Sequence, residues 1–191
     1  MGNVIHMLKN LYCIIGQSGS GKDTLANNLQ EKCGYKKVLS YTTRPAREND
    51  KTDEFSHVFT TIAQYQKDVS DNEIIAETYF DGKYYWVTKK MVDDADIYIV
   101  DPKGLKDLRK QYTSRPIVAI YLWTRPETRM KRMRKRGDSS EQISQRLQND
   151  RIMFSETARE SSSYDYSIVA DGSEPDVVLQ MCKIINECEG R

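Results

Sequence analysis

The segment Gly16-Gln17-Ser18-Gly19-Ser20-Gly21-Lys22 constrains the fold of this chain more than any other. It follows the apolar run Leu11-Tyr12-Cys13-Ile14-Ile15 and opens the stretch Lys22 to Cys33, which carries Leu25, Ala26 and Leu29 on one helical face and has Gly34 as a natural C-cap. A G-x-x-x-x-G-K loop between a buried strand and a helix turns its backbone N–H groups inward and adds the positive helix end, making a nest for polyphosphate oxygens. Lys22 supplies a point charge for β and γ phosphates. The candidate triphosphate set is therefore Gly16, Gln17, Ser18, Gly19, Ser20, Gly21, Lys22, Asp23 and Thr24. Asp23 follows the lysine where Ser or Thr is commoner. It either serves Mg²⁺, directly or through water, or favours the helix N-terminus. A ligand-free glycine turn would not need the strand before, the helix after and the lysine in place.

Further apolar runs at Ile97 to Val100, Ile117 to Leu122 and Tyr166 to Ala170 are nearly continuous rather than alternating, as in strands covered on both faces of a parallel sheet. Helical patterns lie between them: Gly104 to Tyr112, Glu127 to Arg136, Ser140 to about Arg159, and a last helix with Ser173 as N-cap and Pro175 in its first turn. Alternating strand and helix predicts an α/β fold, a parallel sheet with helices on both faces. The stretch from Ser40 to Thr88 breaks the rhythm with short strands (Phe55 to Phe59, Ile74 to Phe80, Tyr84 to Val87) and an Asp81-Gly82 hairpin signal. It reads as a small β insertion.

The 191 residues suffice for one core. A net charge of +1 gives no overall field for nucleic acid or membrane. The cysteines (Cys13, Cys33, Cys182, Cys188) lack C-x-x-C spacing, and His6 and His57 lack metal-ligand neighbours, so reduced thiols and no structural zinc are expected. Residues 1–10 are too polar for a signal or span, and His6 stands where a myristoylation signal wants Ser or Thr. A cytoplasmic location is the expectation.

The segment Ser40-Tyr41-Thr42-Thr43-Arg44-Pro45-Ala46-Arg47 resembles the part of guanylate kinases that grips the acceptor phosphate, and two arginines three apart beside hydroxyls suit a phosphate dianion. From about Leu11 to the last helix the resemblance continues. Gly82-Lys83-Tyr84-Tyr85 matches the family's hairpin, with Tyr85 as the phosphate-binding tyrosine. Ile99 to Gly104 matches a strand ending in an aspartate near metal and acceptor; Asp101 has that place or, alternatively, caps the helix beside Pro102. The run Arg132 to Gly137 with Ser140 to Leu147 resembles the lid, placing Arg132, Arg136 and Arg146 at the transferring phosphates. The resemblance implies a P-loop NTPase fold over 1–191: a core of about 11–39 and 96–191, an acceptor-binding mixed-β insertion of about 40–88 and a helical lid of about 132–148.

It further implies an ATP- and Mg²⁺-dependent kinase acting on a small phosphorylated acceptor, as monomer or homodimer, without nucleic acid or membrane. The acceptor set is Ser40, Arg44, Arg47, His57, Tyr85 and Asp101, the catalytic set Lys22, Arg132, Arg136 and Arg146, and the metal candidates Thr24, Asp23 and Asp101. The match departs at the base. Ala76 stands where the family has a guanine-reading glutamate, Trp86 replaces a glycine, Val87 a serine, and Ala170 an asparagine. GMP is therefore expected to be at best a poor acceptor, unless a one-residue bulge between Ile74 and Tyr85 brings Glu77 round. Two alternatives remain. The Lys22-Asp23 pair and Thr43-Arg44-Pro45-Ala46 also resemble ribose 1,5-bisphosphate phosphokinase, and some guanylate kinase-like domains are non-catalytic interaction modules, usually with a degraded P-loop.

Overall fold

A computed structural model describes residues 8–46, 57–80, 82–155 and 164–191. Strand β1 (Leu11–Ile15) and helix α1 (Lys22–Cys33) are followed by β2 (Ser40–Thr42), β3 (His57–Phe59), α2 (Ile62–Ser70), β4 (Ile74–Phe80) and β5 (Lys83–Thr88). Next come α3 (Lys89–Asp93), β6 (Ile97–Ile99), α4 (Pro102–Gln111), β7 (Ile117–Trp123), α5 (Pro126–Lys135), α6 (Ser140–Met153), β8 (Tyr166–Val169) and α7 (Glu174–Glu189).

The first sheet runs β6-β1-β7-β8, every pair parallel. With β1 inside it, all five β1 residues are buried and alternate residues feed two cores. Leu11, Cys13 and Ile15 meet Leu105 and Leu108 of α4, with Val87 and Phe154. Tyr12 and Ile14 meet Leu25 and Leu29 of α1 and Met181 and Ile185 of α7. Helices thus cover both faces, the arrangement that continuous apolar strands require. Cys13 is fully buried, which pushes its thiol up to about 12.

The second sheet is mixed, in the order β3-β2-β5-β4: β2 and β3 are parallel, the other two pairs antiparallel. Glycine at position 82 takes φ of 70° in the hairpin, a left-handed conformation that residues with a Cβ seldom adopt. Three sequence expectations change. Helix α2 lies where only strands were expected, capped by the Thr61 side chain accepting from Gln64 N–H at 3.3 Å. Helix α4 begins at Pro102 rather than Gly104, because Asp101 caps it. Helix α6 stops at Met153 rather than near Arg159, where Phe154 turns into the core; Phe55, Ser56 and Arg159 fall outside the described residues.

On one face of the second sheet the fully buried Trp86 ring lies 5.3 Å from Tyr41 and 5.2 Å from Tyr65. Its Nε1–H donates to Asp68 Oδ2 at 2.8 Å, while Gln64 donates to the other oxygen at 2.7 Å. Trp86→Phe retains an aromatic ring but leaves a buried carboxylate oxygen short of a donor. A loss of about 1–3 kcal/mol in urea unfolding is expected; a change within about 0.5 kcal/mol, the usual range for an uninvolved surface site, would remove that bond from the account.

Candidate active site

The glycine-rich loop is shaped from outside as well as by its own residues. A Cβ on Gly16 would lie 2.7 Å from the Leu122 carbonyl of β7, so the chain passes too close there for any side chain. At Gly19, with φ of 76°, a Cβ would meet the Arg129 carbonyl of α5 at the same 2.7 Å. Helix α1 starts at Gly21 without a side-chain cap, leaving its positive end open toward the loop. Lys22 folds back so that Nζ donates to the Gly16 and Gln17 carbonyls at 2.6 and 3.2 Å. Desolvation lowers its pKa; Asp23 and Asp150 oppose the shift, and Arg129 and Arg136 add to it. A desolvated ammonium held by neutral carbonyls, beside an uncapped helix end, suits an anion.

A cavity of about 250 Å³ opens from this loop. Gly16, Ser18 and Lys22 form one wall, and Arg146 of α6 borders it. Ser40, His57, Tyr85 and Asp101 line the cavity from the second sheet and the end of β6. Ser40 Oγ and His57 Nδ1 are 2.7 Å apart, and the His57 ring meets Tyr85 edge-on at 5.4 Å. Asp101 serves two purposes: Oδ1 accepts from Gly104 N–H at 2.8 Å, and Oδ2 accepts the Thr78 hydroxyl. The capping alternative for Asp101 is therefore present, and its carboxylate still borders the cavity.

Gln17, Ser20, Asp23, Thr24, Arg44, Arg132 and Arg136 are not among the residues that line the cavity. Gln17 and Ser20 close a turn, Ser20 N–H donating to the Gln17 carbonyl at 3.1 Å, and Ser20 Oγ is buried without a hydrogen-bond partner. Asp23 and Thr24 are exposed on the first turn of α1. Arg44 packs its guanidinium 5.1 Å from the Phe59 ring centroid and donates to the Pro45 carbonyl. Arg47 lies outside the described residues. Arg132 lies against the loop, donating to the Ser20 carbonyl at 3.0 Å and the Ala170 carbonyl at 2.7 Å. Arg136 and Arg146 converge on Asp138, Arg146 at 3.3 Å. The Asp138 carboxylate raises the Arg136 pKa further.

Sequence reasoning missed Thr78, Arg129 and Asp150. Asp150 had a legible signal, since it stands one helical turn after Arg146 and shares its face. The β4–β5 register is also decided. A bulge does occur in β4, between Ile74 and Ala76 and so within the Ile74 to Tyr85 segment. From Ala76↔Val87 to Phe80↔Lys83 the pairing is regular, with Glu77 opposite Trp86 and Thr78 opposite Tyr85. Past the bulge the pairing is unbroken through the hairpin, so Glu77 and Tyr85 point to opposite faces of the sheet. Glu77 and Thr78 both border the cavity, but the Glu77 carboxylate accepts from the Tyr65 hydroxyl of α2 at 2.7 Å, whereas Thr78 turns to Asp101; Ala76 and Val87 are buried in the core.

Among the described residues no group of three or more His, Cys, Asp or Glu side chains is placed to hold a metal, and no helix is long and apolar enough to cross a membrane. Asp23, Thr24 and Asp101 are hard oxygen donors, and one or two such groups beside substrate phosphates suit Mg²⁺.

Residues 8–187 match the model of the guanylate kinase family. A guanylate kinase of Hydrogenovibrio crunogenus is 28% identical over 170 residues, covering 85% of this chain and 80% of its own. One from Helicobacter pylori is 28% identical over 187 residues, covering 92% and 87%. The crystal structure of guanylate kinase from Anaplasma phagocytophilum superposes with a TM-score of 0.64 at 18% identity, covering 95% of this chain and 87% of the other, which is a likeness of fold.

Proposed function

The chain belongs to the guanylate kinase family, and on that footing we propose that it is an ATP-dependent nucleoside monophosphate kinase with relaxed base selectivity. The observation that carries this reading is the single cavity in which the loop residues Gly16, Ser18 and Lys22 face Ser40, His57, Tyr85 and Asp101. One end has the chemistry of a triphosphate nest, the other a set of polar groups suited to a phosphorylated acceptor. A phosphotransferase needs both within one water-excluding space.

In this reading the acceptor phosphate attacks the γ-phosphorus of ATP in line, and the P–O bond to ADP breaks. Positioning and charge stabilisation supply most of the catalysis. The loop amides and Lys22 hold the donor; Arg44, Arg47 and Tyr85 hold the acceptor phosphate. Asp23, Thr24 and Asp101 would hold Mg²⁺, directly or through water. When bound, such an ion would neutralise charge on the donor phosphates. Arg136 and Arg146, gathered by Asp138, swing onto the transferring group as α5 and α6 close, while Arg132 buttresses the loop. Closure also excludes water that would otherwise hydrolyse ATP.

Relaxed selectivity rests on the β4–β5 register. With Ala76 and Val87 in the core and Glu77 bonded to Tyr65, the guanine N1–H, N2–H₂ and O6 lose the polar partners that the family resemblance implies. Each unpaired group costs about 1–3 kcal/mol if buried. In an ADP-release assay across GMP, dGMP, AMP, CMP, UMP, dTMP and ribose 1,5-bisphosphate, GMP is expected to react weakly and without strong preference. A kcat/KM for GMP above about 10⁵ M⁻¹s⁻¹, together with about a hundredfold lead over every rival, would overturn this part. Turnover of the sugar bisphosphate alone would move the chain to that chemistry, and no ATP binding at all to a non-catalytic module.

A further inference from the structure

Ser18 is the most heavily anchored residue of the glycine-rich loop, and none of its anchors comes from the loop. Asp150 of α6, 5% exposed, accepts its N–H at 2.9 Å through Oδ2 and its hydroxyl at 3.0 Å through Oδ1. Arg129 of α5, equally buried, pairs with Asp150 at 2.8 Å and donates from the same nitrogen to the Ser18 carbonyl at 3.3 Å. Every hydrogen-bonding group of Ser18 is thus held by one buried ion pair shared between two helices. The backbone of α5 closes the arrangement, because the Arg129 carbonyl fills the space a Cβ on Gly19 would need.

We propose that Asp150, fixed by Arg129, is a positioning residue for the ATP phosphates, acting through the Ser18 end of the loop. Stability alone is a poor reason for such a pair, since well-packed apolar residues commonly replace a buried ion pair without loss. The pair does what apolar residues cannot: it fixes a polar, glycine-rich segment before the substrate arrives, so that less conformational freedom is lost on binding. It also joins the loop to the lid. Arg146 stands one turn before Asp150 on the same face of α6, and both border the cavity. The carboxylate of Asp150 therefore sets where Arg146 starts relative to the donor phosphates. The proposal rests on the loop being the ATP site.

The test uses the full chain with Arg129→Met and Asp150→Leu combined, which removes both charges and leaves apolar bulk. Thermal unfolding is expected to stay near that of the parent. The KM for ATP with Mg²⁺ is expected to rise about tenfold, through loss of preorganisation, while the KM of the best monophosphate stays within about twofold. A merely structural pair would lower the active fraction, and so the apparent kcat, without moving the KM for ATP. An unchanged KM for ATP overturns the proposal. If the double variant does not fold, Asp150→Asn decides by the same readout, since it keeps the volume and removes the charge. A parent chain that binds no ATP in direct titration overturns the donor-site reading and this proposal with it. Parental binding with an unmoved variant overturns this proposal alone.

Discussion

Lys22→Ala is expected to lower kcat/KM by at least about a hundredfold, the usual cost of removing one charge contact to a transferring phosphoryl group, and to leave the fold intact. The two halves of that expectation have separate grounds. Lys22 makes its hydrogen bonds to the Gly16 and Gln17 carbonyls of its own loop, and the buried apolar side chains of α1 are Leu25, Ala26 and Leu29. Removing its stem therefore empties no core position. Its ammonium is already desolvated and carries a lowered pKa, so it gains most when an anion arrives. Steady-state kinetics with circular dichroism on the same sample checks both halves. Near-parental turnover in a folded variant would remove Lys22, and with it the loop, from the mechanism.

Arg44→Ala is expected to raise the acceptor KM by about 10- to 100-fold and to leave the KM for ATP within about twofold, because a charge-assisted contact to a phosphate is worth about 1.5–3 kcal/mol. The guanidinium lies over Phe59 at the end of β3, on the side of the second sheet that carries His57. That contact supports the flat face of the group. Arg47→Ala carries the same expectation from the sequence pattern. Titrating each substrate at saturating levels of the other separates the two halves of the site. If ATP binding collapses while the acceptor is unaffected, the arginines serve the donor end.

The sequence came closest where the signal was local. The loop, the limits of α1 at Lys22 and Cys33, and β4 from Ile74 to Phe80 were legible from glycine placement and periodicity. Helix α2 was missed although Thr61 and Gln64 stand at capping-box spacing and Ile62, Tyr65 and Val69 recur at helical spacing. The overlong reading of α6 has a different origin. The charged sequence past Met153 carries no stop signal, and the helix ends where Phe154 finds the core beside Tyr121, their rings 6.1 Å apart. A bulge between Ile74 and Tyr85 was foreseen as a possibility and one occurs before Ala76, but the regular pairing that follows keeps Glu77 on the face opposite Tyr85.

What the sequence by itself determined is the glycine-rich loop between strand and helix, the alternation of strand and helix, and the kinds of polar group that meet in the cavity. These follow from conformational preferences acting over a few residues: glycine's access to positive φ, caps one turn apart, and the repeat of apolar positions. What only the tertiary structure decided is which distant charges meet. Arg129 and Asp150 lie 21 positions apart on separate helices, and Ser18 lies 132 positions from Asp150. No spacing rule reaches that far. Their meeting is fixed when α5 and α6 dock beside the loop and burial forces each charge and each polar group of Ser18 to find a partner.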